Sequence, residues 1–168
     1  MTPDTKMTGL LRRMEVLYPD DVMALQTWLQ LVRVYSRIQR KLEHSLGKQE
    51  MTLAQFEILM TLKNCQGISQ QELAEHLLVT KGNVCALVER MEKCGWLERQ
   101  SDPEDGRAYR LTITALGRTL LKKVLPEQRQ IIQEAFGVMT VEESRQLLAQ
   151  LDRLERMLLK AWPAVKSP

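Results

Sequence analysis

Between Ser69 and Gly117 the hydrophobic period changes from that of a helix to that of a strand and back, and few folds accommodate that order. Ser69-Gln70-Gln71-Glu72 is an S-x-x-E capping box, which opens a short helix through about Leu78. Val79 leads to Thr80, an N-cap for a second helix that runs through about Cys94 and is closed by Gly95. Downstream, Tyr109, Leu111 and Ile113 alternate with Arg110 and Thr112, the pattern of a strand with one apolar and one polar face. Asp105-Gly106 is a hairpin-turn signal, because glycine takes positive φ without steric cost. Trp96-Leu97-Glu98-Arg99 supplies the partner strand. The stretch reads as two short helices and then a two-stranded β-hairpin with Arg107 near its tip.

Helical signals flank this centre. From about Asp20 to Leu46, the residues Leu25, Trp28, Val32, Tyr35, Leu42 and Leu46 keep the spacing of one helix face, widened by Leu29, Leu31 and Ile38. Thr52-Leu53-Ala54-Gln55 is a T-x-x-Q capping box for a helix through about Asn64, with Phe56, Leu59 and Met60 inward and Cys65-Gln66-Gly67 ending it. Thr114 restarts a helix to about Phe136, with a kink expected at Pro126. Thr140-Val141-Glu142-Glu143 caps a last helix carrying Leu147, Leu151, Leu154 and Leu158. Residues 1–19, with Pro3, Gly9 and Pro19, read as a loosely ordered arm or a short helix.

The predicted fold class is therefore mainly α: a winged helix-turn-helix with a two-stranded β-hairpin wing, flanked by long N- and C-terminal dimerisation helices. A chain of 168 residues is about one domain, spanning 1–168. Within it, 20–46 and 114–160 are the long helices, 52–113 is the winged-helix lobe and 69–94 the helix-turn-helix. The end helices carry more apolar stripe than so small a centre can cover, which favours a subunit interface over a bundle within one chain.

Composition excludes several function classes. No run approaches about 18 apolar residues, so no transmembrane helix is expected. The N-terminus lacks the basic, apolar and small-residue succession of a signal peptide, which points to the cytoplasm. Three cysteines without C-x-x-C spacing, and only His44 and His76, suggest neither a disulfide framework nor a metal site. There is no Gly-rich phosphate loop and no nucleophile with a base partner beyond the isolated pairing of Cys85 with His76, so no enzyme and no cofactor are expected. Charge is more informative. Residues 1–79 carry nine Lys/Arg and nine Asp/Glu, residues 124–168 carry six of each, and residues 80–123 carry nine basic against six acidic. The whole net charge of +3 sits in the segment with the hairpin, a reason to consider a polyanion.

The second helix of the pair fits that partner. At about 100° per residue from Lys81, Val84, Leu87, Val88 and Met91 fall on one side, and Gly82, Asn83, Ala86, Arg90 and Lys93 on the other. Gly82 and Ala86 allow close backbone approach, Asn83 can read an adenine edge, and Lys81 and Arg90 can reach phosphate or guanine. Thr80 opens the helix, whose N-terminus favours a phosphate. Ser69, Gln70 and, on the wing strand, Arg110 complete the DNA-binding candidates. An ordinary amphipathic helix with a solvated outer face has the same pattern. The hairpin shifts the balance, since a wing-tip arginine such as Arg107 can enter a minor groove. Asp105 can pair with a basic neighbour and fix the turn.

The stretch from Ser69 to Gly117 resembles the DNA-binding core of the multiple antibiotic resistance regulator (MarR) family. The matching wing signature is Asp105-Gly106-Arg107, then Leu111-Thr112-Ile113-Thr114 and Gly117. With the flanking helices, the resemblance covers about residues 20–160. It implies a homodimeric winged-helix regulator on a pseudo-palindromic double-stranded operator, often a repressor. By the resemblance Arg107 is the minor-groove arginine, Asp105 its positioner, and Thr80 to Arg90 enter the major groove. Many members carry a second arginine where Gly106 stands, so this wing has one fewer phosphate contact.

Many relatives release DNA when a small aromatic acid or phenol binds between the dimer helices and the DNA-binding lobe. The candidate lining here is Trp28, Leu31, Tyr35 and Arg33 or Arg37, although Trp and Tyr at helical spacing are more often core. A peroxide-sensing branch uses a cysteine near the start of the first helix, and this chain has none before Cys65. Cys85 and Cys94, in the second helix of the pair, offer a thiol-redox alternative; a buried, inert cysteine is the plainer reading. A winged-helix module that binds protein rather than DNA is the remaining alternative.

Overall fold

The computed structural model describes residues 22–65, 67–77, 81–102 and 109–162. Thr80, the Asp105-Gly106 turn, Arg107 and the N-terminal arm lie outside that set. The elements run α1 (Val22–Gly47), α2 (Leu53–Asn64), β1 (Ile68–Ser69), α3 (Gln70–His76), α4 (Lys81–Lys93), β2 (Leu97–Ser101), β3 (Tyr109–Ile113), α5 (Ala115–Phe136) and α6 (Val141–Ala161). The fold is thus mainly helical with a small antiparallel sheet, as the periodicities require. Two compact units divide the chain, residues 1–127 and 128–168, and α5 runs from the first into the second. Among the described residues no helix is long and apolar enough to cross a membrane.

Each expected capping box forms. The amide of Gln55 donates to the Thr52 hydroxyl at 3.2 Å while the Thr52 amide donates to Gln55 Oε1 at 2.9 Å. Ser69 and Glu72 repeat the exchange at 3.1 and 2.7 Å, starting α3, and Thr140 and Glu143 at 3.2 and 2.7 Å, starting α6. These bonds satisfy donors that a helix start otherwise leaves bare.

The sheet has three strands in the order β1-β3-β2, where the sequence predicts two. The β2–β3 hairpin pairs Leu97 with Ile113 through to Ser101 with Tyr109. On the other edge of β3, Ile68 pairs with Leu111 and Ser69 with Arg110. Two residues are too few for a strand period to register in the sequence, and Ser69 doubles as the α3 cap.

The core of the first unit is built where these elements meet. Ile58, Leu59 and Leu62 of α2, Leu73 and Leu77 of α3, and Val84, Val88 and Met91 of α4 are buried together with Leu97, Leu111 and Ile113 of the sheet and Leu121 of α5. Each fully buried aliphatic of this kind is worth about 1.5–3 kcal/mol. The junction after α4 is also specified. Trp96 N donates to Met91 O at 2.9 Å and Gly95 N to Glu92 O at 2.8 Å, a Schellman motif with Gly95 at φ +69°. The Thr114 hydroxyl donates to Gly95 O at 2.6 Å and accepts from Gly117 N at 3.0 Å, so one side chain ends α4 and caps α5. A Cβ on Gly117 would stand 2.0 Å from Trp96 O, a separation that only glycine avoids. That contact explains the closing glycine of the wing signature.

In the second unit, α6 has no buried residue. Leu147, Leu151, Leu154 and Leu158 share one face of it and all are exposed in the single chain.

Candidate nucleic-acid interface

Packing decides which side of α4 faces outward. Val84, Val88 and Met91 are fully buried and Leu87 is half-buried against the core. The opposite side leaves Ala86, Arg90 and Lys93 exposed. These are the residues that the helical wheel assigns to each side. Lys81 opens the helix; the side chains of Lys81, Gly82 and Asn83 lie outside the described set. Arg90 and Lys93 fall in the last turn, where they also suit the negative end of the helix dipole.

Two candidates at the start of α3 are engaged within the protein. The Ser69 hydroxyl accepts from the Glu72 amide, and Gln70 Nε2 donates to Cys85 Sγ at 2.7 Å, tying α3 to α4 across the motif. Hydrogen bonds from the Ser69 backbone N–H and then its hydroxyl hold the Glu72 carboxyl below the ordinary carboxylate range, with smaller help from the Arg110 and His76 charges. Cys85 and Cys94 are exposed rather than buried, a departure from the plainer expectation: Cys85 lies off the apolar stripe of α4 and Cys94 follows its last turn.

Arg110 sits at the wing base. Its Nε pairs with Asp102 Oδ2 at 2.8 Å, and its Nη1 donates to Gly67 O at 2.9 Å. One guanidinium thus joins the end of β2, strand β3 and the loop before β1. Arg99 reaches Glu92 at 3.6 Å, a looser tie from β2 to α4. Asp102 and Gly67 fix the orientation of Arg110, and the sequence alone singles out neither. The hairpin register holds the signal for Asp102, which lies two residues beyond Gln100, the partner of Arg110. Asp105 and Arg107 lie outside the described residues.

The α1 candidates form an exposed stripe. Trp28 is 59 % exposed and Tyr35 60 %, with Leu31 also exposed. They are not core in the single chain. Arg37 is exposed and Arg33 half-buried, and the Arg33 Nε is buried with no hydrogen-bond partner among the described residues.

Comparison with known proteins gives a consistent neighbourhood. A family model described as MarR family matches residues 49–108, which span α2, β1, the helix pair and β2 and end just before β3. The transcriptional repressor MprA of Escherichia coli is 29 % identical over 139 residues, covering 75 % of this chain and 79 % of that protein. Among solved structures, a mutant MarR of E. coli complexed with operator DNA has a TM-score of 0.71 at 24 % identity, covering 80 % of this chain and 96 % of that one. BpsR of Bordetella bronchiseptica, whose DNA binding is regulated by 6-hydroxynicotinic acid, has a TM-score of 0.70 at 25 % identity, covering 77 % and 98 %.

Proposed function

We propose a function from one premise: this chain belongs to the MarR family and is a winged-helix transcriptional regulator. In this reading it is a cytoplasmic homodimer that binds a pseudo-palindromic operator, represses the adjoining gene, and lets go when a small aromatic effector binds. The outer face of α4 carries the reading. Ala86 permits close approach and Arg90 supplies a cation on the side opposite the buried stripe, and Lys81, Gly82 and Asn83 are the residues that the sequence offers to the base edges. Arg107, between the paired strands, takes the minor groove, with Asp105 fixing its turn. Arg110 has a different part: its bonds to Asp102 and Gly67 O support a role in holding the wing against the helix pair. No catalytic role is assigned to any residue.

The bare leucine face of α6 supports the dimer, because an exposed apolar row of that length needs a cover in water. The exposed Trp28 and Tyr35 with the orphaned Arg33 Nε support an effector wall on α1, since an aromatic acid offers a ring to the first pair and a carboxylate to the arginine. Repression is in keeping with the relative MprA, and effector release with BpsR.

Selection of duplexes from a randomised pool tests the proposal. The expected product is an inverted repeat whose half-sites lie about one helical turn, or a multiple of it, apart. No enrichment, or an enriched site without two-fold symmetry, contradicts it.

A further inference from the structure

A cavity of about 280 Å³ opens between α2 and the end of α3, inside the first unit. Phe56, Glu57, Met60 and Thr61 line it from one side of α2, and His76 and Leu77 from α3 and its cap. Its hydrocarbon is the buried Leu77 with the half-buried Phe56 and Met60, both packed against the core. Glu57 is the only carboxylate that lines it among the described residues, and no Lys or Arg does. The Thr61 hydroxyl donates to Glu57 O at 3.0 Å, so its remaining capacity is as an acceptor.

The Glu57 carboxylate makes no hydrogen bond or ion pair among the described residues. Hydrogen bonds hold the carboxyls of Glu72, Glu127 and Glu143 below the ordinary range, whereas burial alone pushes Glu57 up. The charge of His76 acts on Glu72 and leaves Glu57 without help. A half-buried carboxylate with no counter-charge costs stability, and a cation set against it removes that cost. A metal ion is a poor fit, because magnesium and calcium take six or more oxygen ligands and no group of three or more candidate ligands exists among the described residues. An organic ammonium fits better. Its N–H groups match a lining of acceptors, and the Phe56 ring attracts its charge. The volume is at the small end for a ligand site, which limits the attached body to one ring or a short chain.

We propose that this cavity binds a small organic ammonium ion, its head at the Glu57 carboxylate and the Thr61 hydroxyl oxygen, its compact apolar body against Phe56, Met60 and Leu77. No residue of α1 or α5 lines it, so it is separate from the aromatic stripe of α1. It does not depend on the DNA-binding reading. An occupant would bridge α2 to the end of α3, just ahead of α4.

Titration calorimetry and methyl-labelled NMR on the full chain test this with 2-phenylethylammonium, the neutral 2-phenylethanol and the anion phenylacetate as probes. The ammonium is expected to bind saturably and to shift the methyl resonances of Met60 and Leu77. Its affinity should fall by about tenfold or more in Glu57→Gln, which keeps the shape of the side chain and removes its charge. Met60→Trp, which leaves the carboxylate and fills the space, should block it as well. Phenylethanol and phenylacetate should each bind far more weakly. The proposal fails if the ammonium does not saturate, binds both variants as it binds the native chain, is matched by phenylethanol or phenylacetate, or shifts the methyls of Leu121 and Leu125 instead.

Discussion

Removing the Arg110 side chain would leave the Asp102 carboxylate, only 11 % exposed, without the counter-charge that stands 2.8 Å away, and Gly67 O without its donor. The arginine itself is partly exposed, so solvent screening limits the cost. Arg110→Ala should therefore lower stability in urea by about 1–2 kcal/mol, and Arg110→Lys should recover only part, lacking the planar fork. Operator affinity should fall with it, because the wing loses its anchor, yet the salt dependence of binding should stay unchanged. Arg90→Ala, by contrast, should reduce the salt slope by about 1 if Arg90 touches a phosphate. A reduced slope in Arg110→Ala would make it a phosphate ligand and refute the anchoring role. In the sequence, Arg110 looks like any polar residue on the outer face of an alternating strand. Its role emerges only from the hairpin register and from β1, which brings the Gly67 loop alongside. Gly117 and Thr114 were more legible as part of a motif than as physics, until the Trp96 carbonyl supplied the reason.

Helix starts and the sides of α4 were readable in advance because both depend on local chemistry. A capping box needs only residues three apart, and the α4 stripe needs only its own period. β1 was not readable, since its pairing partner lies more than forty residues away and its length carries no period. The Trp28–Tyr35 stripe was readable as apolar but not as uncovered. The α3 cap makes a pH test. The Glu72 carboxyl titrates below its ordinary value of 4.5, so the cap contributes fully above that pH and loses its contribution as pH falls through the lowered value. Ser69→Ala should cost about 1 kcal/mol near neutral pH. Glu72→Gln, which cannot ionise, should flatten the pH dependence of stability below about 4.5, measured by urea unfolding across acid pH. An unaltered acid profile in that variant would mean that the box titrates without stabilising α3.

For the whole molecule, α1 and α6 each present an exposed apolar face among the described residues. Leu154→Asp with Leu158→Asp should convert a dimer to monomers in sedimentation equilibrium, because carboxylates cannot be buried there unpaired. Operator affinity should drop by about a hundredfold or more, as two linked half-site contacts become separate events. A double variant that stays dimeric would place the interface elsewhere.

Fluorescence anisotropy on the selected duplex and on a scrambled duplex of equal length, each across a salt series, reaches the central claim that α4 and the wing read DNA. The expected result is tighter binding to the selected sequence, weakening steeply with salt on both, with a shallower salt dependence in Arg90→Ala and a reduced sequence preference in Arg107→Ala. Salt-independent binding, or no binding to either duplex at low salt, would contradict DNA recognition by this lobe and leave a protein partner in its place.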